Sequence, residues 1–92
     1  MCREIADQYI KDIDGWTLVN NIKLSKDFRF SSFREAINFV DKIADLAEEE
    51  GHHPAIFVTY NRVTLTLLTN SIGGLSENDF ILAAKIDRLM RG

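Results

Sequence analysis

The sequence predicts a two-layer α+β fold: a four-stranded antiparallel sheet with helices on one face, in the order α-β-β-α-β-β-α. Two observations predict it. Four runs alternate apolar and polar residues with a period of two, and most are joined by short turns, which makes the strands largely antiparallel. Two longer stretches carry apolar residues at helical spacing, and each opens on a Ser-x-x-acid capping pattern.

The elements follow in order. Glu4 to Ile13 reads as a short helix with Ile5, Tyr9 and Ile13 on one side, ended by Gly15. Trp16 and Leu18 alternate with polar neighbours, Asn20-Asn21 makes a turn, and Ile22, Leu24, Phe28 and Phe30 continue the period, with Lys26 as the exception. Ser32 caps a helix that runs to Gly51, with Glu35 as its capping-box partner. Phe33, Ile37, Val40, Ala44 and Ala47 form its apolar stripe, widened by Ala36 and Ile43. Ile56, Val58 and Tyr60 alternate, Asn61 turns the chain, and Val63, Leu65 and Leu67 alternate with Thr64 and Thr66. Those threonines leave the second sheet face to solvent or a partner. Ser76 and Asp79 form another capping box, flanked by the staple pair Leu75 and Phe80. The last helix then turns Leu82, Ala83, Ile86, Leu89 and Met90 inward.

A chain of 92 residues is expected to form a single domain, 1–92. Its core is modest, so self-association is a natural aid to stability. Net charge is −3, from 11 basic and 14 acidic side chains, which argues against non-specific nucleic-acid binding. No apolar run reaches the ~18 residues that a membrane span needs, and the first residues show no signal-peptide core. Cys2 is the only cysteine, which excludes an internal disulfide and fits a reducing, cytoplasmic setting.

His52 and His53, the only histidines, stand together before Pro54, the only proline. Imidazole exchanges protons near neutral pH, so the pair suggests proton-transfer chemistry. Adjacent loop histidines are also commonly solvated polar residues. Asp79 heads the buried stripe of the last helix, yet its position equally suits a helix-capping acid. Glu48 lies at the edge of the preceding helix's apolar stripe, within the acidic run Glu48-Glu49-Glu50. Asn70 suits a turn. A catalytic zinc site needs three protein ligands, and adjacent histidines with a distant Cys2 do not supply them. Neither a nucleophile-elbow nor a phosphate-loop pattern is present. Phe28, Phe30, Phe33, Phe57 and Phe80 fit core periodicity better than a base-stacking platform.

Over nearly its whole length the chain resembles the pterin-4a-carbinolamine dehydratase family. The resemblance rests on Gly15-Trp16, Phe28-Arg29-Phe30, Phe33 and Phe39, then on Glu48, three residues, His52-His53-Pro54, five residues and Tyr60. It continues through Tyr60-Asn61-Arg62-Val63-Thr64-Leu65-Thr66-Leu67, Gly73-Gly74-Leu75-Ser76-Glu77 and Asp79-Phe80. It departs at Asn70, where the family carries a third histidine or, in some members, tryptophan. Asparagine hydrogen-bonds but does not exchange a proton near neutral pH.

The resemblance implies dehydration of 4a-hydroxytetrahydrobiopterin to quinonoid dihydrobiopterin and water by histidine acid–base catalysis, in recycling the cofactor of aromatic amino-acid hydroxylases. It implies His52, His53 and Asp79 as catalytic residues. Gly51, His52, His53, Leu68, Thr69, Asn70 and Ser71 are the implied pterin contacts, with Glu48 behind the histidines. No metal and no resident cofactor is required. A homodimer or homotetramer is the implied assembly. The alternative is a non-catalytic relative that binds protein, as a transcription-factor dimerisation cofactor or a Rubisco assembly factor does.

Overall fold

The computed structural model describes residues 1–91. Helix α1 (Arg3–Tyr9) runs into a 3-10 turn (Ile10–Asp12) and is followed by strands β1 (Thr17–Val19) and β2 (Lys23–Arg29). Helix α2 (Phe33–Glu50) leads to strands β3 (Ala55–Thr59) and β4 (Arg62–Leu67), a second 3-10 turn (Asn70–Ile72) and helix α3 (Glu77–Arg91). The four strands form one sheet in the order β1-β2-β4-β3. Every neighbouring pair is antiparallel. The α+β class and the antiparallel sheet read from the sequence are those observed.

Local chemistry explains the turns. Asn20 and Asn21 both take positive φ, 52° and 58°, a region that asparagine tolerates better than most residues. The Ile22 N–H closes this turn on the Val19 carbonyl at 3.0 Å. In the second hairpin Tyr60 rather than Asn61 takes the positive φ, 50°, while the Asn61 carbonyl accepts the Phe30 N–H at 2.8 Å. At the start of α2 the Ser32 hydroxyl accepts the Glu35 N–H at 3.2 Å. The return half of this box is displaced by one residue: the Glu35 carboxylate accepts the Ser31 N–H and hydroxyl. The Ser31 hydroxyl, and after it the Ser31 N–H, hold the Glu35 carboxyl below the ordinary glutamate range.

Alternation puts Leu24 and Phe28 of β2 opposite Leu67 and Val63 of β4 on the inner face. Ala36, Phe39 and Ile43 of α2 and Leu82, Ala83 and Ile86 of α3 share one core with them. On the outer face Thr64 donates its hydroxyl to Asp27 at 2.7 Å.

Several facing assignments differ from the sequence expectation. In α1 Ala6 is buried and Ile5 exposed. In α2 the buried set is Ala36, Phe39, Ile43 and Ala47, whereas Phe33 is 52% exposed and Ala44 also faces outward. The apolar residues of α2 span more of the helix than the sheet covers, so periodicity alone does not centre the stripe. Ile22 is exposed because it belongs to the turn, and Met90 because it lies at the far end of α3. Phe57 is 56% exposed, since its register opposite Thr64 assigns it to the outer face.

Lys26 breaks the β2 alternation for a structural reason. It sits between Leu24 and Phe28 on the inner face and pairs with Asp87 of α3 at 2.9 Å. Asp87 is only 4% exposed. Its carboxylate also accepts the Trp16 indole N–H, at 3.1 and 3.2 Å, and the Asp14 N–H, at 3.3 Å. The Lys26 ammonium donates further to the Asp14 carbonyl at 2.5 Å and lies 4.9 Å from the Phe28 ring centre. A Cβ at Gly15 would come within 3.1 Å of Lys26 Cε, so glycine lets the backbone pass close to this lysine. The cluster braces the β1 approach, β2 and α3 together.

Candidate active site

The C-terminus of α2, the N-terminus of α3 and the loop after β4 meet at one end of the sheet. Gly51 ends α2 at φ 65°, a left-handed conformation, and the His52 N–H then returns to the Ala47 carbonyl at 3.2 Å. This Schellman-type ending turns the chain sharply and delivers His52. Nothing lies within 4 Å of a Cβ at Gly51, so Gly51→Ala meets only the backbone penalty. A stability loss of about 1–2 kcal/mol is expected, read from urea unfolding.

His52 Nε2 lies 2.5 Å from Asp79 Oδ1. Asp79 is fully buried, while the His52 side chain keeps 19% exposure. Asp79 Oδ2 accepts the Ser76 N–H at 2.9 Å and the Thr69 hydroxyl at 2.9 Å. Thr69 Oγ1 and Ser76 Oγ are 2.7 Å apart. An ionised carboxylate only accepts, so His52 Nε2 carries the proton in this contact. Nδ1 is then the ring nitrogen left for exchange with a ligand. Asp79 thus keeps its helix-capping place in the first turn of α3 and orients an imidazole as well. The other half of that capping box is replaced, since the Ser76 hydroxyl turns to Thr69 rather than to the helix.

The remaining candidates are neighbours in sequence of His52 or of Thr69, and among the described residues no hydrogen bond or ion pair joins them to the His52–Asp79 contact. His53 and Glu48 face solvent, with Nε2 to Oε1 at 3.4 Å, an exposed contact of small energetic weight. Leu68 is half-buried, and Asn70 and Ser71 are exposed in the 3-10 turn that follows Thr69. That turn is closed by the Thr69 N–H to the Gly74 carbonyl at 2.7 Å and the Gly74 N–H to the Thr69 carbonyl at 3.3 Å. A cavity of about 340 Å³ is lined by Tyr9, Asp12, Ile13, Glu77, Phe80, Ile81 and Ala84, and none of the candidate residues is in its wall. There Tyr9 donates its hydroxyl to Glu77 at 2.6 Å. That hydrogen bond, followed by burial and the Glu77 charge, raises the phenol above its ordinary range.

Among the described residues, no group of three or more His, Cys, Asp or Glu side chains is placed to hold a metal ion. No helix among them is long and apolar enough to cross a membrane. Sequence reasoning missed Ser76 as a contributor to the site. Its hydroxyl at a helix start read only as a cap, and the β-bridge that brings Thr69 to it has no local signature.

The chain is similar to many proteins of one kind. Residues 2–89 match the family model described as pterin 4 alpha carbinolamine dehydratase. A putative pterin-4-alpha-carbinolamine dehydratase from Chloroflexus aurantiacus is 51% identical over 95% of this chain and 91% of its own length. The mitochondrial pterin-4-alpha-carbinolamine dehydratase 2 of Arabidopsis thaliana is 43% identical over 97% of this chain, which spans 50% of that protein. Among solved structures, a transcriptional coactivator/pterin dehydratase from Brucella melitensis superposes with a TM-score of 0.90 at 32% identity, covering 97% of this chain and 96% of that one. A pterin dehydratase-like protein identified as a RuBisCO assembly factor in the α-carboxysome superposes with a TM-score of 0.69 at 31% identity, covering 82% and 88%. By fold, by motif and by these likenesses, the chain belongs to the pterin-4a-carbinolamine dehydratase family.

Proposed function

We propose that the protein dehydrates 4a-hydroxytetrahydrobiopterin to quinonoid dihydrobiopterin, with His52 as the principal proton-transfer group. The contact between His52 and the buried Asp79 carries this reading. In the elimination the C4a–O bond breaks as the hydroxyl takes a proton and leaves as water. N5 gives up its proton, and the electron pair released forms the C4a–N5 double bond. A neutral His52 with its proton on Nε2 presents the Nδ1 lone pair as a base. Asp79 then stabilises the imidazolium that results. Positioned acid–base groups contribute about 10²–10⁴-fold to such steps. His53 is the second proton-transfer group, with Glu48 beside it. Gly51, Leu68, Asn70 and Ser71, with Thr69 through its backbone, supply the pterin-contacting segment, since the Thr69 hydroxyl is taken up by Asp79 and Ser76.

Mixing the protein with freshly generated carbinolamine and following quinonoid product by absorbance tests the reading. Turnover above the spontaneous rate is expected. The spontaneous rate alone, both in the wild type and in Asn70→His, would replace this reading with a non-catalytic one. Asn70 favours that second reading, because it withholds a third imidazole. The resemblance to a RuBisCO assembly factor fits it too.

Self-association into a dimer or tetramer accompanies the proposal, as does a cytoplasmic location without membrane or nucleic-acid contact. β3 is an edge strand whose Ile56 and Phe57 are exposed, and an unpaired apolar edge invites pairing with another chain. Light scattering at micromolar concentration is expected to give at least twice the protomer mass.

A further inference from the structure

We infer that Thr69 and Ser76 are positioning residues, which lock the Asp79 carboxylate so that it holds His52 in one tautomer. This deepens the proposed role of His52, and its kinetic arm rests on that role. The proton count fixes the direction of the chain of bonds. Thr69 has one hydroxyl proton, and the Asp79 carboxylate has none to give. Thr69 therefore donates to Asp79 Oδ2, at 2.9 Å, and accepts from the Ser76 hydroxyl, at 2.7 Å. Ser76 also donates its backbone N–H to the same Oδ2, at 2.9 Å. With Oδ2 occupied twice, Oδ1 is turned to His52 Nε2.

The backbone prepares this clamp. The paired hydrogen bonds between Thr69 and Gly74 hold Thr69 beside the start of α3. Asp79 is wholly buried, so its carboxylate depends on protein donors rather than water. Chains of hydrogen bonds in such surroundings reinforce one another. The Thr69 side chain thus acts on the reaction through Asp79, whatever its backbone contributes to pterin binding.

The test compares Thr69→Val, Thr69→Ser and Ser76→Ala. Long-range ¹H–¹⁵N spectra of the His52 ring, recorded at mildly alkaline pH, report which nitrogen carries the proton. The wild type is expected to show the Nε2–H tautomer. Thr69→Val is expected to show a mixture of tautomers and a kcat lower by about tenfold, with KM changed by less than about twofold. Thr69→Ser should restore both readouts. Ser76→Ala keeps the N–H bond but loses the hydroxyl, and should shift both in the same direction by a smaller amount. It also serves as the test if Thr69→Val does not fold. Wild-type ring spectra in both Thr69→Val and Ser76→Ala would overturn the inference. So would a raised KM at unchanged kcat in Thr69→Val, the mark of a direct substrate contact. The spectra need no turnover, so they decide the clamp even if the dehydratase reading fails.

Discussion

His52→Ala is expected to lower dehydratase turnover by about 10²-fold or more, the scale of a lost acid–base group. The effect should appear mainly in kcat, because the proposed mechanism puts the imidazole where protons move. Asn70→Ala should lose no more than about tenfold, since a neutral hydrogen bond contributes about 0.5–1.5 kcal/mol. The ordering of the two variants separates proton transfer from substrate holding. Asn70→His is the gain-of-function counterpart: it places an imidazole in the turn after Thr69 and, under the proposed mechanism, should raise turnover. Equal losses in His52→Ala and Asn70→Ala would assign both residues to binding. Circular dichroism checks that His52→Ala remains folded, since the change leaves the buried Asp79 without its imidazole partner.

The largest stability effect is expected at Asp87. Asp87→Ala removes the carboxylate that faces Lys26, whose side chain is only 18% exposed. It also deprives the Trp16 indole N–H of its acceptor. Breaking a buried pair from one side costs about 3–5 kcal/mol, because the partner charge stays behind uncompensated. Lys26 can recover part of this by turning its long stem toward water, so a loss of about 3 kcal/mol is expected in urea unfolding. The double variant Lys26→Met/Asp87→Leu should be less destabilised than Asp87→Ala, since it removes both charges together and keeps apolar volume. If Asp87→Ala shifted the unfolding midpoint no more than an exposed-site change such as Asp41→Ala, the brace would not be a source of stability.

Much of the fold was legible because its signals are local. Asn20-Asn21, the Ser32 cap and the alternation of Val63, Leu65 and Leu67 each act within a few residues, and the two antiparallel hairpins follow from their short turns, whereas the central β2–β4 pairing joins strands separated by α2 and β3. What was illegible depends on distant partners. Lys26 stood out as an exception in β2, but Asp87 lies 61 positions away, and no pattern in one sequence pairs them. The stripe of α2 was misplaced toward Phe33 and Ala44 because the helix carries more apolar residues than the sheet can cover. In α1 the small Ala6 packs inward and the larger Ile5 does not, which only docking decides. At the site, the residues alone placed His52 and Asp79 at element ends that could converge, but left each open to a plainer role, a loop histidine and a capping acid. Their contact joins positions 27 apart through the turn at Gly51 and the docking of α3. The hydroxyl clamp on Asp79 was hidden for a related reason. Thr69 and Ser76 are ordinary loop residues until the Thr69–Gly74 bridge brings them together.

The His52–Asp79 cluster and the Lys26–Asp87 brace draw on different stretches of the chain. Ala47 to Asp79 supply the first, and Asp14, Trp16, Lys26 and Asp87 the second. The two share no hydrogen-bonding side chain, and well-separated sites tend to contribute additively. Heat tolerance and chemistry can therefore drift apart over generations. Substitutions around Asp87 can tune the working temperature of a descendant while the histidine centre passes through unchanged.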